Sequence, residues 1–287
     1  GRAMGDDVEM GQADFIGQVA LITGGGRGLG QAFAEALAAA GAAVAVAARS
    51  PEQVADTAAR ITAAGGRAIA IAADVTDEQA VARMLAIVEQ ELGRVDVLIN
   101  SAAITTPVGP VWEVEAEAWW RCIESNLRGP FLCCRAVLPG MIARRRGRII
   151  NMASTAGVKV IRGYSGYSAG KAALLRFTEN LAAETKPYDV QVFAIEPGLV
   201  RTALTEYLAE SPEGQQWLPW IRQVFAEGRD DPPARAVALV KFLTSGRGDA
   251  LTGRFLHAAS DVTQLVQRRA EIEREDWYTM RLRLPPD

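Results

Sequence analysis

The chain has 287 residues, 49% of them hydrophobic, and a net charge of −3 from 31 Lys+Arg against 34 Asp+Glu. That length and apolar content suffice for one α/β domain or two smaller ones. The charge balance carries no polyanion-binding signature, no run of eighteen uncharged apolar residues offers a membrane span, and the single histidine, His257, leaves no histidine-rich metal site.

Gly1-Arg2-Ala3 before Met4 reads as a cloning scar, and acidic Gly5 to Asp14 as a loose segment, so residues 1–14 are expected to be flexible. No signal peptide precedes the first strand, and the expectation is a soluble, cytoplasmic protein. Seven strand-like runs follow in order: Val19–Ile22, Ala43–Ala47, Ala68–Ala72, Val95–Ile99, Arg148–Met152, Val190–Ile195 and Arg254–His257. Amphipathic helical segments separate them. Ser50-Pro51-Glu52-Gln53 and Thr76-Asp77-Glu78-Gln79 fit capping boxes, and Gly41 and Gly65-Gly66 are natural helix stops. The alternation predicts right-handed crossovers and a doubly wound parallel sheet with helices on both faces. No linker divides the chain, so one domain is expected.

Arg144-Arg145-Arg146 lies between a helix end and a strand and reads as a solvated loop. Cys122, Cys133 and Cys134 fall in apolar helical surroundings, as reduced core thiols do. Residues 203–233 form a long insert carrying Trp217, Pro219, Trp220 and Phe225 at the carboxyl edge of the sheet, where such segments cover a site. From 261 to 287 the chain continues as an extension. Its charged, helical tail Val262–Met280 could cover the pocket of its own subunit or a neighbour's, or pack on the surface.

Two constellations carry chemistry. Val19-Ala20-Leu21-Ile22 leads into Thr23-Gly24-Gly25-Gly26-Arg27-Gly28-Leu29-Gly30 and then an alanine-rich helix. Strand, glycine turn and helix in that order let a backbone approach a pyrophosphate and set a helix N-terminus against it. Further on, Ser154 follows an apolar strand, and Tyr167 and Lys171 stand four apart on one helix face. An ammonium beside a phenol favours the ionised form, so Tyr167 is expected to have a lowered pKa and to exchange a proton with an alcohol. Tyr164 has serine rather than lysine four residues on, and is placed in the pocket wall. His257, near the last strand, is expected to be structural or pocket-lining rather than a catalytic base.

In combination these motifs resemble the classical short-chain dehydrogenase/reductase family, from about Gly17 to about His257. Asn100-Ser101-Ala102-Ala103 stands at the family's Asn-Asn-Ala-Gly, Asn126 in Ser125-Asn126-Leu127-Arg128-Gly129 at its catalytic asparagine, and Pro197-Gly198-Leu199-Val200-Arg201-Thr202 at its Pro-Gly segment. The resemblance implies a Rossmann-type domain over residues 15–260. It also implies a tetrad of Asn126, Ser154, Tyr167 and Lys171. Tyr167 would be the proton donor or acceptor, Lys171 would hold the nicotinamide ribose, Ser154 would bond the substrate oxygen, and Asn126 would hold a relay water.

The implied cofactor site takes Gly24, Gly26, Arg27, Gly28, Leu29 and Gly30 for the phosphates, and Asp74 and Val75 for the adenine. Asn100, Ala102, Tyr167, Lys171, Pro197, Gly198, Val200 and Thr202 complete it, and no metal is implied. Ala48-Arg49-Ser50 ends the second strand without the acidic residue that NAD enzymes tend to place there. Arg49 can grip a 2′-phosphate, so NADP(H) is expected over NAD(H). Arg27 is a second, weaker donor, because arginine there also accompanies NAD.

Ile104, Val108, Trp112, Ile161, Tyr164, Leu204, Trp217 and Trp220 fall on segments expected to rim the substrate pocket, which suggests an apolar or ring-bearing alcohol or ketone. The competing readings are an NAD-dependent dehydrogenase, a non-catalytic NADP-binding regulator, and an epimerase or dehydratase of the family. The resemblance further implies a homo-oligomer, a tetramer. In Arg128–Met141, Phe131, Leu132, Cys133, Cys134, Val137, Leu138 and Met141 nearly encircle their helix, and Leu174, Leu175, Phe177 and Leu181 cover more than one stripe of the next. No nucleic-acid or membrane partner is expected.

Overall fold

A computed structural model describes residues 15–282; the expectation for residues 1–14 lies outside them. The chain runs β1 (Val19–Thr23), α1 (Gly28–Ala39), β2 (Ala43–Ala48), α2 (Pro51–Ala63), β3 (Arg67–Ala72), α3 (Glu78–Glu91) and β4 (Val97–Asn100). Then come α4 (Ala116–Ile123), a π-helical turn (Glu124–Arg128), α5 (Gly129–Arg144), β5 (Gly147–Met152), α6 (Ser165–Thr185) and β6 (Val190–Glu196). Helices α7 (Ala203–Glu210), α8 (Pro212–Trp217) and α9 (Pro219–Ala226) form the insert. The chain closes with α10 (Pro233–Thr244), β7 (Phe255–His257), α11 (Val262–Gln267) and α12 (Arg269–Arg274). Each of the seven expected strands is present, with ends shifted by up to two residues.

The sheet is parallel throughout, in the order β3-β2-β1-β4-β5-β6-β7. The strand order reverses between β1 and β4, and such a switch point opens a crevice at the carboxyl ends of the strands. Alternating side chains feed two cores. Ala20 and Ile22 join Phe33 and Leu37 of α1 and Leu239 and Leu243 of α10 on one face. Val19 and Leu21 join Met84 of α3, Val137 of α5 and Leu181 of α6 on the other. Burial on both faces is why the strands read as continuous apolar runs rather than alternating ones.

Three local expectations change. Helix α3 is capped by Asp77, whose carboxylate accepts from Gln79 and Ala80 N–H. Thr76 is withdrawn from that role because its N–H and hydroxyl both donate to Asp74 Oδ1. The arginine trio is not simply solvated. Arg144 donates to the Val95 carbonyl at 2.7 Å and pairs with Asp96, Arg146 pairs with Asp96, and Arg145 with Asp189. Asp96 is buried and also accepts from Val19 N–H at 3.0 Å, so Arg144 and Arg146 neutralise a carboxylate that aligns β1 with β4.

The apolar girdle of α5 is the third change. Leu132, Cys133, Cys134, Val137 and Met141 are all buried within the chain, chiefly against β4, β5 and α3. Among the named side chains of that helix, Phe131 remains exposed, edge-on to Phe177 at 6.1 Å. The three cysteines are free and buried as expected.

The C-terminal tail packs on its own subunit. Phe255 N–H donates to the Tyr278 carbonyl, Met280 N–H to Glu179, and Arg281 pairs with Glu179 and Asp276. Met280 packs beside Leu175, Ala194 and Phe255.

Candidate active site

Strand ends bring the site together. The glycine turn after β1 lies against the segment after β4: a methyl group on Gly24 would stand 2.7 Å from Ala102 N, and one on Gly30 2.2 Å from the Gly24 carbonyl oxygen. Thr23 Oγ1 accepts from Ser101 and Ala102 N–H, fixing the same approach. Gly28, with φ +58°, turns the chain into α1, whose N-terminal N–H groups face the crevice.

A cavity of ≈780 Å³ runs along this edge. Its first half is lined by Gly24, Gly26, Arg27, Gly28, Leu29 and Gly30, by Arg49 and Ser50, and by Asp74, Val75 and Ala102. Arg49 is exposed at its rim and forms no ion pair among the described residues. The Ser50 hydroxyl is engaged as the cap of α2, accepting from Gln53 N–H, and donates to Glu52.

The second half is lined by Ser154, Tyr167, Lys171, Pro197, Gly198, Val200 and Thr202. Thr202 also caps α7 through a reciprocal pair of bonds with Thr205. Lys171 Nζ donates to the Met152 carbonyl at 2.6 Å and lies 5.4 Å from the centre of the Tyr167 ring. Ser154 Oγ accepts from Ala156 N–H, which holds the hydroxyl at the end of β5.

The expected lowering of the Tyr167 pKa is corrected. Burial pushes the phenol well above its ordinary value, the Glu196 carboxylate raises it further, and the hydrogen bond with Ser154 works in the opposite direction. Burial also brings Lys171 down, to about 8, so its cation is itself costly to hold.

Asn126 and Asn100 lie behind the cavity wall rather than on it. Asn126 sits in the π-helical turn between α4 and α5, wholly buried. Its Nδ2 donates to the carbonyls of Ile104 and Cys122, and its Oδ1 has no partner among the described residues. A buried amide oxygen left open in this way fits an acceptor for the O–H of a bound water. Asn100 donates to Asn151, and Asn151 to Thr178, forming a buried chain across β4, β5 and α6. Ser101, Ala102 and Ala103 line the cavity in its place.

The insert closes the far end with Leu204, Leu208, Trp220 and Ile221, opposite Ile104, Ile161 and Tyr164. Tyr164 stacks on Tyr167 with ring centres 4.7 Å apart. Trp217 instead packs into the insert's own core under Arg162, Val108 is buried in that core, and Trp112 faces solvent. His257 lines the cavity, with Nδ1 accepting from Ala259 N–H. Among the polar wall residues that escaped sequence reasoning are Thr105, Asp231 and Glu196. Only Glu196 had a visible signal, a lone acid at the end of an apolar strand just before Pro197-Gly198.

Comparison with known proteins agrees with this geometry. The family model of the short chain dehydrogenases matches residues 18–213, and the chain belongs to that family. It is 34% identical over 270 residues to a short chain dehydrogenase of Pseudocercospora fijiensis, covering 92% of this chain and 86% of that protein. It is 37% identical over 239 residues to the 3-oxoacyl-acyl-carrier-protein reductase of Synechocystis sp., covering 83% and 93%. A short-chain type dehydrogenase/reductase from Mycobacterium marinum has the same fold, with a TM-score of 0.77 at 34% identity over 85% of this chain and 94% of that one. The protein is therefore an oxidoreductase of a family that uses NAD(P)(H) and acts on small molecules. No helix among the described residues is long and apolar enough to cross a membrane.

Proposed function

We propose that the protein is an NADP-dependent oxidoreductase that interconverts a secondary alcohol and a ketone on an apolar, ring-bearing small molecule. The observation that carries this reading is Ser154, Tyr167 and Lys171 meeting in one cavity that also holds the glycine turn and Arg49. The cofactor, when bound, supplies the hydride. Ser154 bonds the substrate oxygen and steadies its developing charge. Tyr167, protonated across the neutral range because it is buried, gives its proton to that oxygen in reduction and recovers it in oxidation. Lys171 holds the nicotinamide ribose and, with its cation close to the phenol, eases the moment at which Tyr167 is ionised. Asn126 Oδ1 takes the relay water that works with Lys171.

Arg49 favours NADP(H), since it forms no ion pair among the described residues and can make a charge-assisted bond to a 2′-phosphate. The aromatic and aliphatic wall of Tyr164, Trp220, Leu204, Leu208 and Ile221 favours a compact apolar substrate. Residues 15–260 form the catalytic unit, with 203–233 as its cover and 261–287 as an extension. The protein works in the cytoplasm as a homotetramer, a reading supported by the exposed Trp120 and Phe131 on α4 and α5. A fluorescence titration with NADPH and NADH, followed by a panel of cyclic ketones and acyl thioesters monitored at the reduced-nicotinamide absorbance, tests it. NADPH-linked reduction of the cyclic ketones is expected; turnover confined to thioesters would overturn the substrate class.

A further inference from the structure

Glu196 ends β6 immediately before Pro197-Gly198, is buried, and lines the cavity beside the reacting groups. Its two oxygens reach two different loops. Oε2 accepts from Thr155 N–H, directly after Ser154, and Oε1 accepts from Gly198 N–H at 3.1 Å. No arginine, lysine or histidine pairs with it among the described residues. A buried carboxylate without a counter-ion is expensive, and two main-chain N–H groups alone could be satisfied by a neutral acceptor. Its place on the sheet is equally pointed: β6 lies beside β5, with Ala153 N–H bonded to the Ile195 carbonyl, so the side chain spans the gap between the two strand ends.

Resting on the activity proposed above, we infer that Glu196 is a positioning residue, a clamp that sets the Ser154 loop against the Pro197-Gly198 loop and thereby fixes the substrate hydroxyl site relative to the nicotinamide site. Its charge has a second consequence. The groups facing Tyr167 are Ser154, Lys171, Cys122, Tyr164 and Glu196, and those facing Lys171 are Cys122, Tyr167 and Glu196. Burial dominates both groups; Glu196 favours the protonated form of each, alongside Cys122, which acts more strongly on Lys171. His257 and Asp231 line the same cavity.

The test uses the full chain with Glu196→Gln, Glu196→Asp and Glu196→Ala. In the cofactor-free protein, hydrogen exchange at the Thr155 and Gly198 amides should become at least tenfold faster in Glu196→Ala. In turnover, Glu196→Gln should lower kcat about ten- to a hundredfold while the dissociation constant for NADPH stays within about threefold. Its pH profile for alcohol oxidation should move to lower pH, because the anion is gone. Glu196→Asp keeps the charge but spans the gap poorly, so its profile should stay in place while kcat falls. Should Glu196→Gln fail to fold, the Glu196→Asp profile and the Glu196→Ala exchange rates carry the decision. Unchanged exchange, or unchanged kcat and pH profile in Glu196→Gln, would overturn the clamp while the proposed activity stands. A parent protein without NADPH-linked turnover would overturn both.

Discussion

Lys171 Nζ donates to the Met152 carbonyl across 2.6 Å, tying the helix that carries Tyr167 to the strand that leads to Ser154. This contact sets the Ser154 hydroxyl and the Tyr167 phenol side by side, and it does so with a buried cation. Burial brings the lysine from 10.5 to about 8. Between those two values the unfolded chain carries the proton and the folded one does not, so folding stability rises with pH through that window. Below pH 8 the full cost of the buried charge applies, roughly 3 kcal/mol for a shift of that size. In the cofactor-free protein, the stability of Lys171→Met relative to the parent should therefore be highest at about pH 7 and decline toward about pH 10.5. Denaturant titrations across that range check it; a difference flat with pH would contradict it.

Arg49→Ala should weaken NADPH binding far more than NADH binding. One charge-assisted contact to a phosphate is worth roughly 1.5–3 kcal/mol, about ten- to a hundredfold in affinity. Parallel fluorescence titrations with the two cofactors give the ratio directly, and equal losses would return the preference to NAD.

Gly30→Ala should abolish cofactor binding and lower the melting temperature, because its methyl would meet the Gly24 carbonyl oxygen at 2.2 Å and force the turn open. Gly65→Ala is the contrast. Gly65 has φ +85° and open space around it, so the cost there is backbone strain alone, about 1–2 kcal/mol. Calorimetry on both variants, with an NADPH titration, separates turn packing from conformational strain. Intact binding in Gly30→Ala would show that the turn can yield.

Light scattering at micromolar concentration should report a tetramer, and Phe131→Asp should shift it toward smaller species by placing a charge on the exposed face shared with Phe177. A stable monomeric parent would refute the assembly.

Much of the fold is legible in the chain because both faces of a parallel sheet are covered. Runs such as Val19–Thr23 and Val190–Glu196 are apolar almost throughout, and glycines mark their turns. The spacing of Ser154, Tyr167 and Lys171 likewise survives translation into space. What sequence could not show depends on depth. Asn100 and Asn126 sit one layer behind the wall, because their amides are drawn into bonds with Asn151 and with the Ile104 and Cys122 carbonyls. Tyr167 has its pKa raised rather than lowered, because desolvation, with the Glu196 carboxylate beside it, outweighs the hydrogen bond with Ser154. Trp112 and Trp217 read alike as pocket aromatics, yet one faces solvent and the other fills the insert's core. The direction of each ring is set by its folded surroundings, as that of Trp217 is by Arg162 above it.

The central claim is that Tyr167 transfers the proton in an NADP-linked reduction, and the most direct measurement is steady-state turnover of Tyr167→Phe beside its NADPH affinity. The substitution removes one hydroxyl and leaves the ring stacked on Tyr164. General acid–base contributions of this kind are worth about 10²–10⁴-fold in rate. Turnover should fall by at least about a hundredfold while NADPH binding stays within a few-fold of the parent. Substantial residual activity in Tyr167→Phe, on any substrate the parent accepts, would contradict the account.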